Sequence, residues 1–386
     1  MSNTEPINFS KAELERYSRH LILSDFGIEG QKRLKAGKVL VVGAGGLGSP
    51  VLLYLAAAGV GTIGILDFDV VDDSNLQRQV LYSVEDVGLP KVEAAKKRLL
   101  SLNPHITIQT HQTQLTSENA LDIIKDYDVV ADGTDNFPTR YLVNDACCIL
   151  GKTNIYASIF KFEGQVSVFN YKNEKGEYDV NYRDLFPSPP PPGMVPSCGE
   201  AGVLGVLPGI VGSIQASETI KVISGIGSPL SGRLFIFDAK SFSTRVLKII
   251  KKPTRQAIEK LIDYEKFCGL KSAAEEKKLI KMKGLTVQEF KTLQDSGEDF
   301  QLIDVREAHE VAISTLNGLH IPMGEIPSNA DKIATDKKVV IHCRTGGRSG
   351  AMVNFLEKTH GMDNLYNLLG GINGYAKEID SSIAVY

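Results

Sequence analysis

Residues 38–49, KVLVVGAGGLGS, decide the fold of the larger part of this 386-residue chain. The apolar run at 39–42 has the length of a strand and no alternation, which is typical of a parallel strand covered on both faces. The glycines of the following turn are Gly43, Gly45, Gly46 and Gly48. A helix of small residues is predicted after them. This order of elements predicts a doubly wound α/β sheet.

A second predicted strand, residues 62–66, ends at Asp67. Glycines between two such strands let a phosphate approach the backbone, and an acid at the end of the second strand hydrogen-bonds a ribose hydroxyl. The pattern predicts an adenosine nucleotide, and by itself it fits NAD as well as ATP.

Charged residues beyond this acid favour ATP. Asn75 and Arg78 follow the second strand, and Lys91 begins a predicted helix. A cation there opposes the helix dipole, so we expect a role in binding, with a solvated surface lysine as the alternative. The apolar strand at 127–132 precedes Asp135, a carboxylate suited to magnesium. Two cations and a magnesium ligand suit a triphosphate at the carboxyl ends of the strands.

Another motif, CRTGGRS at residues 343–349, follows the apolar run 339–342. Its glycines let successive N–H groups point at an anion, and the helix predicted to follow, over residues 350–358, adds partial positive charge. Arg344 and Arg348 add full charges. We expect Cys343 to act as a thiolate nucleophile, and the alternative is a buried cysteine beside a turn.

Composition is that of an ordinary globular protein, with 42% hydrophobic residues and a formal net charge of −3. This charge gives no reason to expect a nucleic acid or a membrane as partner. No segment resembles a signal peptide or a membrane span. The five cysteines do not form a disulfide framework, so we expect a cytoplasmic protein.

The N-terminal motifs together resemble the MoeB/ThiF adenylyltransferases, relatives of the ubiquitin-activating enzymes. The matching positions are 16–19, 43–48, 67–69, 75–79, 91 and 134–136. The resemblance implies a Rossmann-like adenylation domain over residues 1–252. It also implies a homodimer in which Arg19 reaches into the neighbouring subunit's site.

The same resemblance implies roles for individual residues. Asp67 would bind the ribose of ATP, while Asn75, Arg78 and Lys91 would hold the triphosphate. Asp135 would hold magnesium. The glycines of the loop, Gly43, Gly45, Gly46 and Gly48, would lie against the nucleotide.

The Cys343 loop and its surroundings resemble the rhodanese family of sulfurtransferases over residues 281–386. LIDVRE at 302–307 matches the early strand motif of that family. LLGGINGY at 368–375 matches its closing motif, with Tyr375 where tryptophan is usual.

The resemblance implies a smaller α/β rhodanese domain, joined by a linker at 253–280, whose Cys343 carries sulfur as a persulfide. The loop has six residues from Cys343 to Arg348, the length that suits sulfur in this family. Around the persulfide it would place Arg344, Thr345, Gly346, Gly347 and Arg348.

Many MoeB/ThiF relatives bind a structural zinc through two C-x-x-C pairs. The corresponding positions here are 181–184, which hold no cysteine, and 265–268, which hold only Cys268. One thiolate with carboxylates is a poor zinc set, so we expect no structural zinc. Cys147 and Cys148 are adjacent in an apolar helix, where core packing is the better interpretation.

Cys198 follows a proline-rich segment, 186–196, that cannot form a helix. Resemblance to relatives makes it a candidate second thiol that handles the activated carrier. A loop cysteine without a role is the alternative.

Joined together, the two resemblances imply ATP-dependent adenylation of a ubiquitin-like sulfur carrier of the MoaD/ThiS type, at its C-terminal Gly-Gly. A Cys343 persulfide would then supply sulfur to give a thiocarboxylate, and Cys198 would resolve the acyl disulfide. Thiosulfate or a cysteine desulfurase would load Cys343. Molybdopterin, thiamine, thiolated tRNA and some cysteine routes use such carriers.

Three alternatives remain at this point. The chain could be an NAD-dependent oxidoreductase fused to a sulfur domain. It could activate a ubiquitin-like protein through a Cys198 thioester, with a regulatory rhodanese domain. Finally, the rhodanese domain could be a non-catalytic docking or sulfur-sensing module.

Overall fold

A computed structural model describes residues 7–173, 175–190, 202–252, 257–269 and 283–386. The chain divides into two compact units, residues 1–270 and 271–386. In the first unit the strands are β1 Lys38–Val42, β2 Thr62–Leu66, β3 Thr107–His111, β4 Val129–Asp132, β5 Thr153–Phe160, β6 Glu163–Phe169, β7 Arg233–Asp238 and β8 Ser243–Lys248.

Three helices of the first unit precede β1, and most of the others connect its strands. They are α1 Lys11–Arg16, α2 Ser18–Leu21, α3 Gly27–Ala36, α4 Gly48–Ala58, α5 Lys91–Leu102, α6 Ala120–Ile124, α7 Phe137–Leu150, α8 Tyr182–Leu185, α9 Val206–Ser224 and α10 Tyr264–Phe267. Short 3₁₀ turns occupy Asp73–Asn75 and Val84–Asp86.

The sheet of the first unit has the order β3-β2-β1-β4-β5-β6-β7-β8. Strands β3 to β5 are parallel, and the pairs from β5 to β8 are antiparallel. Both faces are covered, because Val39 and Val41 of β1 contribute to one core cluster and Leu40 and Val42 to another. The predicted Rossmann-like doubly wound sheet is confirmed.

The second unit contains a smaller parallel sheet in the order β11-β10-β12-β13-β9. Its strands are β9 Gly284–Leu285, β10 Phe300–Asp304, β11 Leu319–His320, β12 Lys338–His342 and β13 Leu365–Leu368. Its helices are α11 Val287–Ser296, α12 Ala308–Val311, α13 Gly347–His360 and α14 Gly371–Glu378, with 3₁₀ turns at Met323–Ser328 and Ala330–Lys332. The predicted smaller α/β domain is confirmed.

Helix α13 is longer than the sequence predicts. It begins at Gly347 rather than residue 350, because Gly346 turns the chain with a φ of +100° directly before it. The second half of the cysteine loop is thus already the first turn of a helix, which brings its N–H groups toward the loop.

Residues 257–269, which the sequence analysis assigns to the linker, lie within the first unit. Tyr264 and Cys268 are buried there in the same core cluster as Tyr141 of α7. Among the described residues, no helix combines the length and the apolar character that crossing a membrane requires.

Candidate nucleotide pocket and cysteine loop

A cavity of 1180 Å³ opens at the carboxyl ends of β1, β2 and β4. Of the residues predicted to bind nucleotide, those that line it are Gly43, Gly45, Gly46, Asp67, Asn75, Arg78, Lys91 and Asp135. The structure thus brings residues from across the first unit to one place. Gly48 and Arg19 are not among the lining residues.

The glycine turn is held close to neighbouring backbone. Gly43 has a φ of +89°, and a Cβ at Gly48 would lie only 1.9 Å from the carbonyl oxygen of Gly43. Gly48 therefore allows α4 to begin in close contact with the turn. This packing explains why a glycine is needed at this position, although Gly48 does not line the cavity. A Cβ placed at Gly45 would lie 3.7 Å from Gln79 Nε2, which is an ordinary contact distance. The backbone of Gly45 is therefore not crowded, and a phosphate can approach it.

Asp67 links the end of β2 to the glycine turn. One carboxylate oxygen accepts the N–H of Ala44 at 2.8 Å and the other accepts the N–H of Asp69 at 2.8 Å. Burial raises the pKa of this carboxyl. Each oxygen keeps a second lone pair, so the group can still accept a ribose hydroxyl.

Lys91 is buried at the first position of α5, with Nζ 3.0 Å from Asp69 Oδ2. Burial excludes the alternative of a solvated surface lysine. Arg78 donates one hydrogen bond to the carbonyl oxygen of Ser74, at 3.0 Å. Both cations line the cavity, as does Asn75.

The end of β4 and the loop after it supply two acids in different environments. Asp132 is fully buried, and its Oδ1 accepts the N–H and hydroxyl of Thr134 at 3.0 and 2.6 Å. Its Oδ2 has no hydrogen-bond partner among the described residues, and burial raises its pKa. Asp135 is exposed at the cavity. A single carboxylate with phosphate oxygens is the usual setting for magnesium.

Arg140 is a cavity residue that the sequence analysis missed. It is buried in the first turns of α7 and donates from Nη2 to the carbonyl oxygen of Thr134 at 3.1 Å. Its guanidinium lies 5.7 Å from the ring centroid of Phe137. A cation near a helix N-terminus was the signal used for Lys91, and the same signal was available here.

The far wall of the cavity comes from residues 114–118 and 261–265. These two segments are joined by a hydrogen bond from the Ser117 hydroxyl to the carbonyl oxygen of Ile262, at 2.6 Å. Nothing in the local sequence marked the second segment as part of a binding site.

The two segments that correspond to the zinc ligands of relatives are in contact, because the Arg183 guanidinium lies 4.8 Å from the ring centroid of Phe267. Arg183 donates two hydrogen bonds to Asp145, at 2.8 and 2.7 Å, and the Tyr264 hydroxyl donates to Asp145 at 2.8 Å. Burial raises the pKa of Cys268 to about 11. Within the described residues, no group of three or more His, Cys, Asp or Glu side chains could hold a metal.

In the second unit, Cys343 directly follows β12 and is 1% exposed. Its Sγ accepts the N–H of Gly346 at 3.1 Å. The Ser349 hydroxyl lies 3.4 Å from Sγ and donates to Asn367 Oδ1 at 2.6 Å. The loop is compact, since a Cβ at Gly346 would lie 3.2 Å from the carbonyl oxygen of Leu368. The loop therefore places one backbone N–H directly against the sulfur.

The two loop arginines have different partners. Arg348 makes two hydrogen bonds of 2.6 Å to the carboxylate of Glu310. Burial would raise the pKa of Glu310, yet Arg348 lowers it to about 2. Arg344 lies 5.1 Å from the ring centroid of Tyr386. The charge of Arg348 is thus shared with a carboxylate, which the sequence analysis did not foresee.

Beneath the loop lies a buried ion pair. Arg306 is fully buried and donates to Asp304 from Nε at 2.9 Å and from Nη2 at 2.5 Å. His342 is also fully buried, 3.6 Å from Asp304, and burial lowers its pKa to about 4. The imidazole is therefore neutral near pH 7.

The remaining cysteines differ in setting. Cys147 is fully buried in the core, and burial raises its pKa well above the usual value. Cys148 is partly buried. Cys198 lies outside the described residues.

Comparisons with known proteins match both units of the chain. The ThiF family model matches residues 17–258, and the rhodanese-like domain model matches residues 286–378. The chain is 48% identical over 380 residues to the "Probable adenylyltransferase/sulfurtransferase MoeZ" of Mycobacterium tuberculosis, covering 98% of this chain and 96% of that protein. It is 42% identical to the "Adenylyltransferase and sulfurtransferase MOCS3" of Culex quinquefasciatus, covering 97% and 90% respectively.

A third relative matches a smaller share of this chain. It is the "Sulfur carrier protein adenylyltransferase" of Thermus thermophilus, 53% identical over 69% of this chain and 100% of that protein. Among solved structures, E. coli MccB with ATP has a TM-score of 0.54 and 24% identity, covering 63% of this chain and 74% of that one, which bears on the fold alone. The chain belongs to the ThiF family and carries a rhodanese-like domain C-terminal to its ThiF region.

Proposed function

We propose that this chain uses ATP to adenylate the C-terminal glycine of a ubiquitin-like sulfur carrier and then converts that end to a thiocarboxylate. The sulfur comes from a persulfide on Cys343. The chain is an enzyme, an adenylyltransferase and sulfurtransferase, as its near-full-length relatives are named. The observation that carries the proposal is the presence in one chain of a cavity lined by the residues predicted to bind nucleotide and of a cysteine whose Sγ accepts the N–H of Gly346.

In the first step, a carboxylate oxygen of the carrier attacks the α-phosphorus of ATP, and the bond to pyrophosphate breaks. Asp67 orients the ribose, and the glycine turn approaches the phosphates. Arg78 and Lys91 stabilise the charge that develops on the leaving pyrophosphate, with Asn75 holding its oxygens. Magnesium bound at Asp135 would supply further charge neutralisation.

In the second step, the terminal sulfur of the Cys343 persulfide attacks the carbonyl carbon, and the bond to AMP breaks. The product is an acyl disulfide on Cys343. The hydrogen bond from the Gly346 N–H to Sγ orients the side chain that carries the terminal sulfur.

A second thiol then releases the product. The Cys198 thiolate attacks Cys343 Sγ, the sulfur–sulfur bond to the acyl group breaks, and the thiocarboxylate leaves with the electron pair. A Cys198–Cys343 disulfide results, and a dithiol reductant supplies the two electrons that restore both thiols.

The proposal extends to the assembly and to the sulfur source. The working unit is a homodimer in which Arg19 reaches the nucleotide of the neighbouring subunit. Thiosulfate or a cysteine desulfurase supplies the sulfur that Cys343 carries.

The decisive experiment measures the intact mass of a MoaD-type carrier ending in Gly-Gly after incubation with enzyme, magnesium-ATP and thiosulfate. We expect the mass gain of one oxygen-to-sulfur exchange. Cys343→Ala should abolish this gain and leave adenylate formation intact, whereas the control Cys148→Ala should preserve both. Thiocarboxylate formed at the normal rate by Cys343→Ala would contradict the proposal.

A further inference from the structure

Tyr386 lies against the polar network beneath the cysteine loop, although it is distant from that loop in sequence. Its hydroxyl accepts a hydrogen bond from Arg306 Nη1 at 2.7 Å and donates one to Glu310 Oε1 at 3.3 Å. Its carbonyl oxygen accepts the side-chain N–H of Asn373 at 2.9 Å. The side chain and the main chain of this residue are therefore both fixed.

The ring and the hydroxyl of Tyr386 reach different loop arginines. The ring lies 5.1 Å from the guanidinium carbon of Arg344, within the range of a cation–π contact. The hydroxyl bonds Glu310, whose carboxylate holds Arg348 through two hydrogen bonds. One tyrosine thus supports both cations that flank Cys343.

We propose that Tyr386 is a positioning residue for the capture of an anionic sulfur donor at Cys343. It holds Arg344 through its ring, and Arg348 through the hydroxyl and Glu310. This inference rests on the proposed function of Cys343 as the residue that accepts sulfur.

The chemistry explains why the position of these cations matters. With thiosulfate as donor, the Cys343 thiolate attacks the outer sulfur, the sulfur–sulfur bond breaks, and sulfite leaves with the electron pair. The reaction brings a dianion to a negatively charged thiolate. Correctly placed guanidinium groups offset that repulsion, and displaced ones do so less well.

The test compares reagents of different charge on wild type, Tyr386→Phe and Tyr386→Leu. Persulfide formation with thiosulfate is followed by intact mass, and alkylation of Cys343 is followed with iodoacetate, an anion, and iodoacetamide, which is neutral. Tyr386→Leu removes the cation–π contact and the hydroxyl. The reactions of Cys343 with thiosulfate and with iodoacetate should therefore become about tenfold slower. The rate of alkylation by iodoacetamide should fall less than about twofold, because this neutral reagent is not attracted by the arginines. Tyr386→Phe keeps the ring, so its rates with thiosulfate and iodoacetate should lie between those of wild type and Tyr386→Leu.

The control is Tyr366→Leu, because Tyr366 belongs to the same unit but stacks on Lys283 and Lys338. We expect it to react as wild type. Equal slowing of all three reagents by Tyr386→Leu, or rates matching the control, would overturn the inference. A wild type that discriminates between the alkylating reagents but takes up no sulfur would instead refute the proposed function of Cys343.

Discussion

Buried carboxyl groups at the two sites have opposite electrostatic environments. In the first unit, burial raises the pKa of Asp67 and of Asp132. In the second unit, Asp304 and Glu310 are also buried, yet their pKa values are lowered, because hydrogen bonds from Arg306 and Arg348 outweigh the effect of burial.

The difference shows two ways to build a site. Gln79, which lines the cavity of the first unit, keeps a buried Oε1 without a hydrogen-bond partner among the described residues, at a cost in folding stability. A nucleotide can use such groups when it binds. The second unit instead holds its buried carboxyl groups, Asp304 and Glu310, with arginines of its own. In the first unit, backbone N–H groups and one hydroxyl hold Asp67 and Asp132.

The largest expected effect tests the pairing in the second unit. Arg306→Met leaves Asp304 buried without its cation, which should lower the stability of that unit by about 3–5 kcal/mol. Hydrogen exchange followed by mass spectrometry should show the loss in β10 and β12 and not in β1. The control Lys337→Met removes an exposed pair with Asp299, so about 0–1 kcal/mol is expected. If Arg306→Met and Lys337→Met lowered the stability by the same amount, the buried ion pair would have no special role in the second unit.

The next prediction separates the two sites chemically. Lys91→Met should lower ATP–pyrophosphate exchange about 10²–10³-fold, because a cation that stabilises the leaving phosphates is lost. Persulfide loading of Cys343 should stay at the wild-type rate. Lys97→Met, on the exposed side of the same helix, serves as control. Exchange within twofold of wild type in Lys91→Met would contradict the role of Lys91.

Acidification should affect the two units differently. The pKa of Glu310 is lowered from 4.5 to about 2, so its contribution to stability is present above its unfolded pKa and disappears as the pH falls. The shift corresponds to about 3 kcal/mol, lost progressively between about pH 5 and pH 2. The pKa of Asp67 is raised, so its contribution changes in the opposite direction and favours the first unit as the pH falls.

Hydrogen exchange between pH 7 and pH 3, corrected for its intrinsic pH dependence, measures this difference. Glu310→Gln should make the stability of the second unit less dependent on pH than in wild type. A second unit with the same acid sensitivity in both proteins would show that Glu310 does not carry the effect.

The smallest effect concerns the cavity wall. Tyr264→Phe removes the hydrogen bond to Asp145, which Arg183 still holds, so a loss of about 1 kcal/mol is expected. We expect ATP affinity to fall a few-fold in a binding titration, with persulfide loading unchanged. Tyr178→Phe removes a longer hydrogen bond outside the cavity, to the carbonyl oxygen of Gly151 at 3.3 Å, and should bind ATP normally. Equal ATP affinity of the two variants would exclude Tyr264 from the binding wall.

The sequence was sufficient to predict which residues lie close together where the topology of the sheet alone decides their positions. Asp67, Lys91 and Asp135 lie far apart in the chain, but each follows the carboxyl end of a strand or begins the next helix. Parallel strands bring those ends to one edge of the sheet. The compact turn around Cys343 was predictable for a similar reason, since its glycines and the following helix are local features.

The contacts that sequence reasoning missed depend on side chains from distant parts of the chain. The pairing of Arg348 with Glu310 requires the register of β10 beside β12, which no spacing reveals. The same holds for the Ser117–Ile262 hydrogen bond. Such contacts decide whether a charge is available or already neutralised, so the electrostatics of a site need the folded chain.

The Ser117–Ile262 hydrogen bond has a thermodynamic consequence. Consider a ligand that binds only while residues 261–265 are in place. Its binding raises the free energy needed to detach these residues. The increase is about 2.7 kcal/mol when the ligand concentration is one hundred times its dissociation constant. A protease that must detach this segment before cutting it would then meet roughly a hundredfold smaller population of the open form. The rate of cleavage within residues 257–269 becomes a measure of nucleotide saturation.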